Sequence, residues 1–164
     1  MHPALGILLL LATVFAMEAV AFAMHRWVMH GAGWFLHASH HRPGGALEAN
    51  DLYGLIFAFP SVLLIYGGLN LGWGAWTAWV GAGIAAYGVI YFLFHDVIVH
   101  RRLPNRFLPR SRYMKRIVQA HRLHHAVESR AGAVSFGFLW APRPEALKRK
   151  LSREALRQPA APEA

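Results

Sequence analysis

The chain lacks cysteine and has little negative charge. The absence of Cys among 164 residues excludes disulfides, iron–sulfur clusters and zinc ribbons, because all of them need thiol sulfur. Eight Asp and Glu stand against seventeen Lys and Arg, which gives a formal net charge of +9. The histidine-rich segments contain no Glu-x-x-His or His-Glu-x-x-His pattern. That absence argues against carboxylate-bridged di-iron bundles and zincin proteases.

Three long apolar segments stand out in a composition that is 55% hydrophobic. Residues 4–24 contain one charged group, Glu18, and residues 52–69 and 75–94 contain none. Each segment has about the 17–25 residues that a helix needs to cross a bilayer. A small soluble domain has no interior for three helices that are apolar on every side. The sequence therefore predicts an all-α integral membrane protein with three spans, four being the alternative.

The positions of the basic residues predict the orientation in the membrane. With three spans, residues 25–51 and 95–164 lie on one side, and all seventeen Lys and Arg are found there. The positive-inside bias makes that side cytoplasmic and places the amino terminus outside. Anionic lipid headgroups account for the basic charge. No nucleic-acid recognition motif accompanies it, so no nucleic-acid partner is predicted.

Ten of the eleven histidines form two copies of one signature. Each copy has two histidines five positions apart, followed by His-x2-His-His. Neutral imidazole is the commonest protein ligand for transition metals, and ten are more than one ion uses. Both copies fall on the predicted cytoplasmic side, so we predict a binuclear metal site in a helical cap there. The first copy is His25, His30, His37, His40 and His41, and the second is His95, His100, His121, His124 and His125.

Helical spacing predicts how the histidines are arranged. Residues three and four apart share a helix face, so a His-x2-His-His element on each of two facing helices can frame a metal pair. The adjacent His40 and His41 diverge by about 100°, which suits two neighbouring metals. His25 and His30 lie about 140° apart on an ideal helix, so they share a site only if a π-bulge or a helix end intervenes. The same holds for His95 and His100, and we expect the first and third spans to continue into the cap.

Four polar residues are candidates for hydrogen bonds to the ligands, which would orient them and raise their basicity. Asp96 follows His95, and Glu128 follows the last histidine by three, although an ion pair with a nearby arginine explains Glu128 equally well. Glu18 lies about two turns deeper than His25; a functional role and a structural hydrogen bond are equally consistent with its position. Asn50 is the fourth, although Asn50-Asp51 is explained most simply as a helix cap.

The expected site limits the reaction class. A metal pair at the membrane surface suits chemistry on a lipid-soluble molecule, and iron with nitrogen ligands suits the activation of O2. Zinc favours hydrolysis, but no nucleophile motif is present. A metal transporter or sensor is the alternative, although a transporter usually carries ionisable ligands within its spans.

The residues between the histidines resemble bacterial β-carotene hydroxylases of the fatty acid hydroxylase superfamily. The resemblance is collinear, extends from about residue 18 to 147 and includes segments without histidine. Its segments are HRWVMHGAGW (25–34), HASHHRP (37–43), EANDLY (48–53), FHDVIVH (94–100), QAHRLHHAVE (119–128) and VSFGFLWAP (134–142).

The resemblance implies hydroxylation of carotenoid β-ionone rings at C3 and C3′. Such enzymes convert β-carotene through β-cryptoxanthin to zeaxanthin, and related ones convert canthaxanthin to astaxanthin. It also implies two non-haem irons held by the ten histidines, with zinc as a substitute in purified protein. O2 and electrons from ferredoxin and an NAD(P)H reductase are the implied co-reactants, and the bacterial plasma membrane is the implied location. Another di-iron lipid hydroxylase or a desaturase is the alternative.

The predicted organisation is one membrane hydroxylase domain, residues 1–147, followed by a basic tail, residues 148–164, that contains Pro and Ala. We expect the tail to form an amphipathic helix on anionic lipid. A second basic surface is explained by lipid headgroups or by docking of an acidic ferredoxin. It comprises Arg101, Arg102, Arg106, Arg110, Arg112, Lys115 and Arg116.

Overall fold

A computed structural model describes residues 1–42 and 47–157, and all regular elements in these two ranges are helical. The predicted all-α class is therefore confirmed. The α-helices are α1 (Pro3–Ala23), α2 (Trp34–His37), α3 (Leu52–Asn70), α4 (Ala75–Tyr91), α5 (Arg112–His124) and α6 (Pro144–Arg157). Two π-helices continue α1 and α4, over Met24–Ala32 and Phe92–Val99, and a 3₁₀ turn at Ala49–Asp51 precedes α3.

Three helical stretches in the described ranges are long and apolar enough to cross a membrane. They are Pro3–Ala32, Ala49–Asn70 and Ala75–Val99. Large apolar side chains point away from the protein on these helices; Phe15 is 77% exposed and Phe59 is 71% exposed. Such a surface is unfavourable in water and favourable in lipid. The three predicted spans are confirmed, and the protein is a membrane protein.

The central spanning helix is α4, which packs against both α1 and α3. Small residues allow this close approach: a Cβ at Gly81 would lie 2.6 Å from the Ser61 carbonyl oxygen, and one at Gly83 would lie 2.6 Å from Thr13 Cβ. The Ser61 hydroxyl also donates to the Gly81 carbonyl at 2.8 Å. Small residues and an interhelical hydrogen bond are typical of helix packing in membranes.

The two π-helices place the histidines that lie five residues apart on one side of the chain. The His100 N–H donates to the His95 carbonyl at 2.9 Å, and the Gly33 N–H donates to the Val28 carbonyl at 2.8 Å. Both are i→i+5 hydrogen bonds, the spacing of a π-helix, although the first stretch is kinked at Gly31, whose backbone is not helical. The prediction of a π-bulge or a helix end near His30 is confirmed, since the first stretch is π-helical and is kinked at Gly31. The continuation of the first and third spans is confirmed as well.

The helices beyond the third span form a cap with its own small core. Helix α6 packs on α5, and Leu147 is 4% exposed in that contact. The expected domain boundary at residue 147 thus falls inside α6, and residues 158–164 of the expected tail lie outside the described ranges. Since one face of α6 is used for packing, the cap includes this helix. The core residues are Ile117, Ala120, Val134, Ala141 and Leu147.

Candidate metal centre

The ten histidines of the two signatures gather into two groups of five. Within each group the nitrogen atoms available for ligation lie within 4.8 Å of one another. We call them cluster A and cluster B. Cluster A comprises His25, His30, His37, His41 and His124, and cluster B comprises His40, His95, His100, His121 and His125.

Each cluster takes four histidines from one copy of the signature and the fifth from the other copy. His40 joins cluster B, and His124 joins cluster A. The adjacent pairs His40–His41 and His124–His125 are therefore divided between the clusters, as their angular separation predicts. Each half of the chain therefore supplies one histidine to the cluster of the other half.

The two His-x2-His-His elements differ in local structure. In the second copy, α5 carries the element up to His124, and His125 is the C-terminal capping residue. In the first copy α2 ends at His37, and His40 and His41 lie in the turn that follows. The prediction of a helix for each element is wrong for the first copy. Pro43 and two glycines follow within four residues of His41 in the sequence, and such residues disfavour a helix.

In cluster A the Nε2 atoms converge on a common point. Nε2–Nε2 distances are 3.2 Å for His25–His37, 3.3 Å for His37–His41, 3.1 Å for His41–His124 and 3.2 Å for His30–His124. Two nitrogen ligands about 2.1 Å from one ion and at right angles to each other lie about 3 Å apart. The spacing therefore fits ligation of a shared ion.

The opposite ring nitrogen of every cluster A histidine faces an oxygen that only accepts. Backbone carbonyl oxygens face four of the Nδ1 atoms: Phe136 O lies 3.0 Å from His25, Arg130 O lies 3.0 Å from His30, Val127 O lies 2.8 Å from His41 and Val134 O lies 2.9 Å from His124. The fifth acceptor is a side chain, with Asn50 Oδ1 at 2.7 Å from His37. Each Nδ1 must therefore carry the proton and donate it, which leaves each Nε2 with a lone pair. Five lone pairs that point at one another need a cation between them, so the donor set fits a metal ion.

The Nε2 atoms of cluster B also converge, but carboxylates lie beside two of its rings. Nε2–Nε2 distances are 3.0 Å for His40–His95 and 2.9 Å for both His100–His121 and His121–His125. His40 Nδ1 faces Glu48 Oε2 at 2.9 Å, and His95 Nδ1 lies 3.4 Å from Asp96 Oδ2. A carboxylate that accepts from an imidazole makes the ring a stronger ligand. The two clusters are thus electrostatically different.

Arg102 fixes the carboxylates beside cluster B. It donates to Asp96 Oδ1 at 2.7 Å and to both oxygens of Asp51 at 2.7 Å. Its hydrogen bonds to the carboxylates, first of Asp51 and then of Asp96, raise the pKa of Arg102 above its ordinary value. Because Asp51 is the N-terminal capping residue of α3 and Asp96 lies in the third span, the arginine joins two spanning segments.

Four of the cap histidines have pKa values below neutral pH. Burial first, and neighbouring imidazoles as a smaller cause, lower the pKa of His41 to about 4 and that of His100 to about 3. Burial also lowers the pKa of His121 and His124 well below the ordinary value of 6.5. A metal binds the neutral imidazole, so no proton needs to be displaced from these rings at neutral pH.

The four polar candidates have different positions. Asn50 and Asp96 contact ligand rings, as described above. Glu18 contacts no imidazole within the described ranges and accepts hydrogen bonds from the Phe138 N–H, the Trp140 N–H and the Tyr87 hydroxyl. Glu128 is exposed, and within residues 1–42 and 47–157 it forms no ion pair with Arg122 or Arg130.

Sequence reasoning missed Glu48 and the backbone acceptors. Glu48 and Asp51 form a capping box on the 3₁₀ turn, and the Glu48 N–H donates to Asp51 Oδ2 at 3.0 Å. The Glu-x-x-Asp spacing was the available signal for that turn. Nothing local indicates that the turn lies beside His40. The backbone carbonyls leave no signal in a sequence at all.

A loop at residues 134–141 covers both clusters with aromatic rings. The Phe136 ring centroid lies 5.5 Å from His25, 5.2 Å from His30 and 5.4 Å from His124. The Phe138 centroid lies 5.9 Å from His95 and 6.2 Å from His121. Each cluster therefore has one phenyl ring as an apolar neighbour.

Comparison with known proteins identifies relatives along most of the chain. Residues 10–141 match the family described as fatty acid hydroxylase. A β-carotene hydroxylase of Pantoea ananas is 52% identical over 82% of this chain and 77% of its own length. One from Paracoccus sp. (strain PC1) is 47% identical over 93% and 94%, respectively. A chloroplastic β-carotene 3-hydroxylase of Haematococcus lacustris is 38% identical over 84% of this chain and 44% of its own length. No solved structure matches the chain.

Proposed function

Because the chain belongs to the fatty acid hydroxylase family, we propose that it is a β-carotene hydroxylase that uses two irons and O2. The substrate would be hydroxylated at C3 and C3′ of its β-ionone rings, giving zeaxanthin by way of β-cryptoxanthin. Similarity to β-carotene hydroxylases over most of the chain supports the substrate. The two clusters of convergent imidazoles carry the chemical part of the proposal.

Clusters A and B would each hold one iron. Neutral nitrogen ligands suit iron, and iron supplies the activation of O2 that attack on an unactivated C–H bond requires. The same ligands also suit zinc, which we expect as a substitute in purified protein. The protein orients the ligands through the acceptors on Nδ1.

Two of the ligand side chains are shielded from solvent. His95 is 1% exposed and His124 is 0% exposed. Phe136 and Phe138 add an apolar wall against which a hydrocarbon ring can pack. The exposed apolar surface of the spans gives a carotenoid dissolved in the bilayer direct access to the protein.

Electrons would come from a ferredoxin and its NAD(P)H-dependent reductase, because the chain has no cysteine for a cluster of its own. An acidic ferredoxin suits a basic surface, which would speed its docking. Five basic residues of the predicted surface are exposed, whereas Arg102 is engaged by Asp51 and Asp96 and is removed from it. The five are Arg101, Arg106, Arg110, Arg112 and Lys115.

The proposed location is the bacterial plasma membrane, with the amino terminus outside and both clusters on the cytoplasmic side. The concentration of all seventeen Lys and Arg on the side of the clusters supports this orientation. Reporter fusions at both termini test it, since a cytoplasmic reporter should be active only at the carboxyl terminus.

Expression in cells that accumulate β-carotene tests the function. We expect zeaxanthin to appear in the pigment extract and to disappear with His124→Ala. His2→Asn is the matched control, because His2 is exposed, lies outside both clusters and is replaced by another helix-capping residue. Unchanged pigment from an inserted, iron-loaded wild-type protein would reject the proposed substrate.

A further inference from the structure

Glu18 is a carboxylate within a spanning helix, and within the described residues it contacts none of the ten imidazoles. Its Oε1 accepts from the Phe138 N–H at 2.7 Å and from the Trp140 N–H at 3.1 Å. Its Oε2 accepts from the Tyr87 hydroxyl at 2.8 Å. Three donors from a loop and from α4 therefore meet on one side chain of α1.

The loop that supplies two of these donors lies at the depth of a spanning helix. Glu18 is seven residues before His25, which corresponds to about 10 Å along a helix axis. Irregular backbone at that depth needs a partner within the protein for its N–H groups. The loop also fits closely, because a Cβ at Gly137 would lie 2.7 Å from the Trp140 carbonyl oxygen and 3.3 Å from Glu18 Oε1.

The same loop touches both clusters. The Val134 and Phe136 carbonyls accept from His124 and His25, and the Phe136 and Phe138 rings lie against clusters A and B. Phe138 and Trp140, which donate to Glu18, lie within four positions of Phe136 and Phe138, whose rings face the clusters. A shift of the loop away from Glu18 would therefore displace both phenyl rings.

We propose that Glu18 is a positioning residue that holds the loop of residues 134–141 in place. The loop forms the surface that binds the substrate ring between the bilayer and the two clusters. This proposal rests on the proposed function, because a binding surface at this depth suits a substrate that arrives through the lipid. Glu18 acts through the loop and contacts no reacting atom.

The test compares substitutions at Glu18 with a matched intramembrane control. Glu18→Leu removes both acceptor oxygens, whereas Glu18→Gln keeps one oxygen for the two loop N–H groups. Gly137→Ala displaces the loop without altering the carboxylate. Ser61→Ala is the control, because it removes a buried hydrogen bond between α3 and α4 that does not involve the loop.

Two readouts are measured in detergent or liposomes. Amide hydrogen exchange at Phe138 and Trp140 should accelerate about tenfold or more in Glu18→Leu and in Gly137→Ala. The apparent KM for β-carotene should rise several-fold in both variants with a much smaller change in kcat. Glu18→Gln and Ser61→Ala should resemble the wild type in both readouts.

Unchanged exchange in Glu18→Leu would overturn the proposed anchoring. Faster exchange with an unchanged KM would overturn the proposal that the loop binds the substrate ring. A uniform loss of folded protein in Glu18→Leu and Ser61→Ala, with normal KM in what remains, would assign Glu18 to folding alone. Failure of the proposed function would look different: the wild-type protein would show slow exchange at Phe138 and Trp140 but would not hydroxylate β-carotene.

Discussion

The Nε2 atoms of His41 and His124 lie 3.1 Å apart, although 83 positions separate the two residues. Both rings donate their Nδ1 proton to backbone carbonyls, those of Val127 and Val134. Two lone pairs therefore face each other where the two halves of the chain meet. A bound cation turns this repulsion into an attraction, so metal binding and folding of the cap are coupled.

Removal of the metal should destabilise the protein. With metal at about a thousand times its dissociation constant, binding to the folded state adds about 4 kcal/mol per site. We expect chelation to lower the thermal unfolding midpoint in detergent and re-addition of Fe(II) to restore it. Differential scanning fluorimetry at several metal concentrations measures this. An unchanged midpoint after removal verified by elemental analysis would contradict the coupling.

Asn50 should tune metal binding at cluster A. Its side-chain oxygen accepts from His37 Nδ1 at 2.7 Å, and loss of such a partner typically lowers metal affinity about 10–100-fold. We expect that loss in Asn50→Leu and near-normal affinity in Asn50→Asp, which keeps an acceptor. Titration against a competing chelator measures both. Asn70→Leu, an exposed site at the opposite end of α3, is the control, and an equal loss there would refute a local effect.

Arg102 should stabilise the junction of two spanning segments. Removing it leaves Asp51 and Asp96 without their shared cation, and Asp96 is mostly buried. We expect Arg102→Gln to lower the free energy of unfolding by about 2 kcal/mol. Chemical unfolding in detergent provides the measurement, with Arg106→Gln at an exposed position as the control. Equal stability of the two variants would show that the ion pairs contribute little.

The exposed basic surface should control electron delivery in a salt-dependent way. Replacing Arg110, Arg112 and Lys115 by Gln is expected to slow ferredoxin-driven turnover at low ionic strength. The difference from the wild type should shrink as salt screens the charges. The matched control replaces Lys148, Arg149 and Lys150 by Gln on α6, which removes the same charge elsewhere. Equal slowing in both variants would indicate a net-charge effect without a docking surface at Arg110–Lys115.

Local periodicity explains what could be predicted from the sequence. Apolar runs determined the three spans, since their length and composition suit only a bilayer. The five-residue spacing of His25 and His30 predicted a π-bulge or a helix end, because no regular α-helix brings the two rings together. The adjacent His40 and His41 predicted a division between two sites for the same angular reason.

Only the tertiary structure decided which histidines share a cluster and what orients them. The exchange of His40 and His124, the contact of Glu48 with His40, and the bond from His25 to the Phe136 carbonyl across 111 positions all depend on how distant segments pack. Arg102, expected on a basic surface for lipid headgroups or an acidic ferredoxin, is instead the ion-pair partner of Asp51 and Asp96. Residue spacing fixes angles within one helix, whereas the partners of each imidazole come from other segments, often through backbone atoms that every residue has.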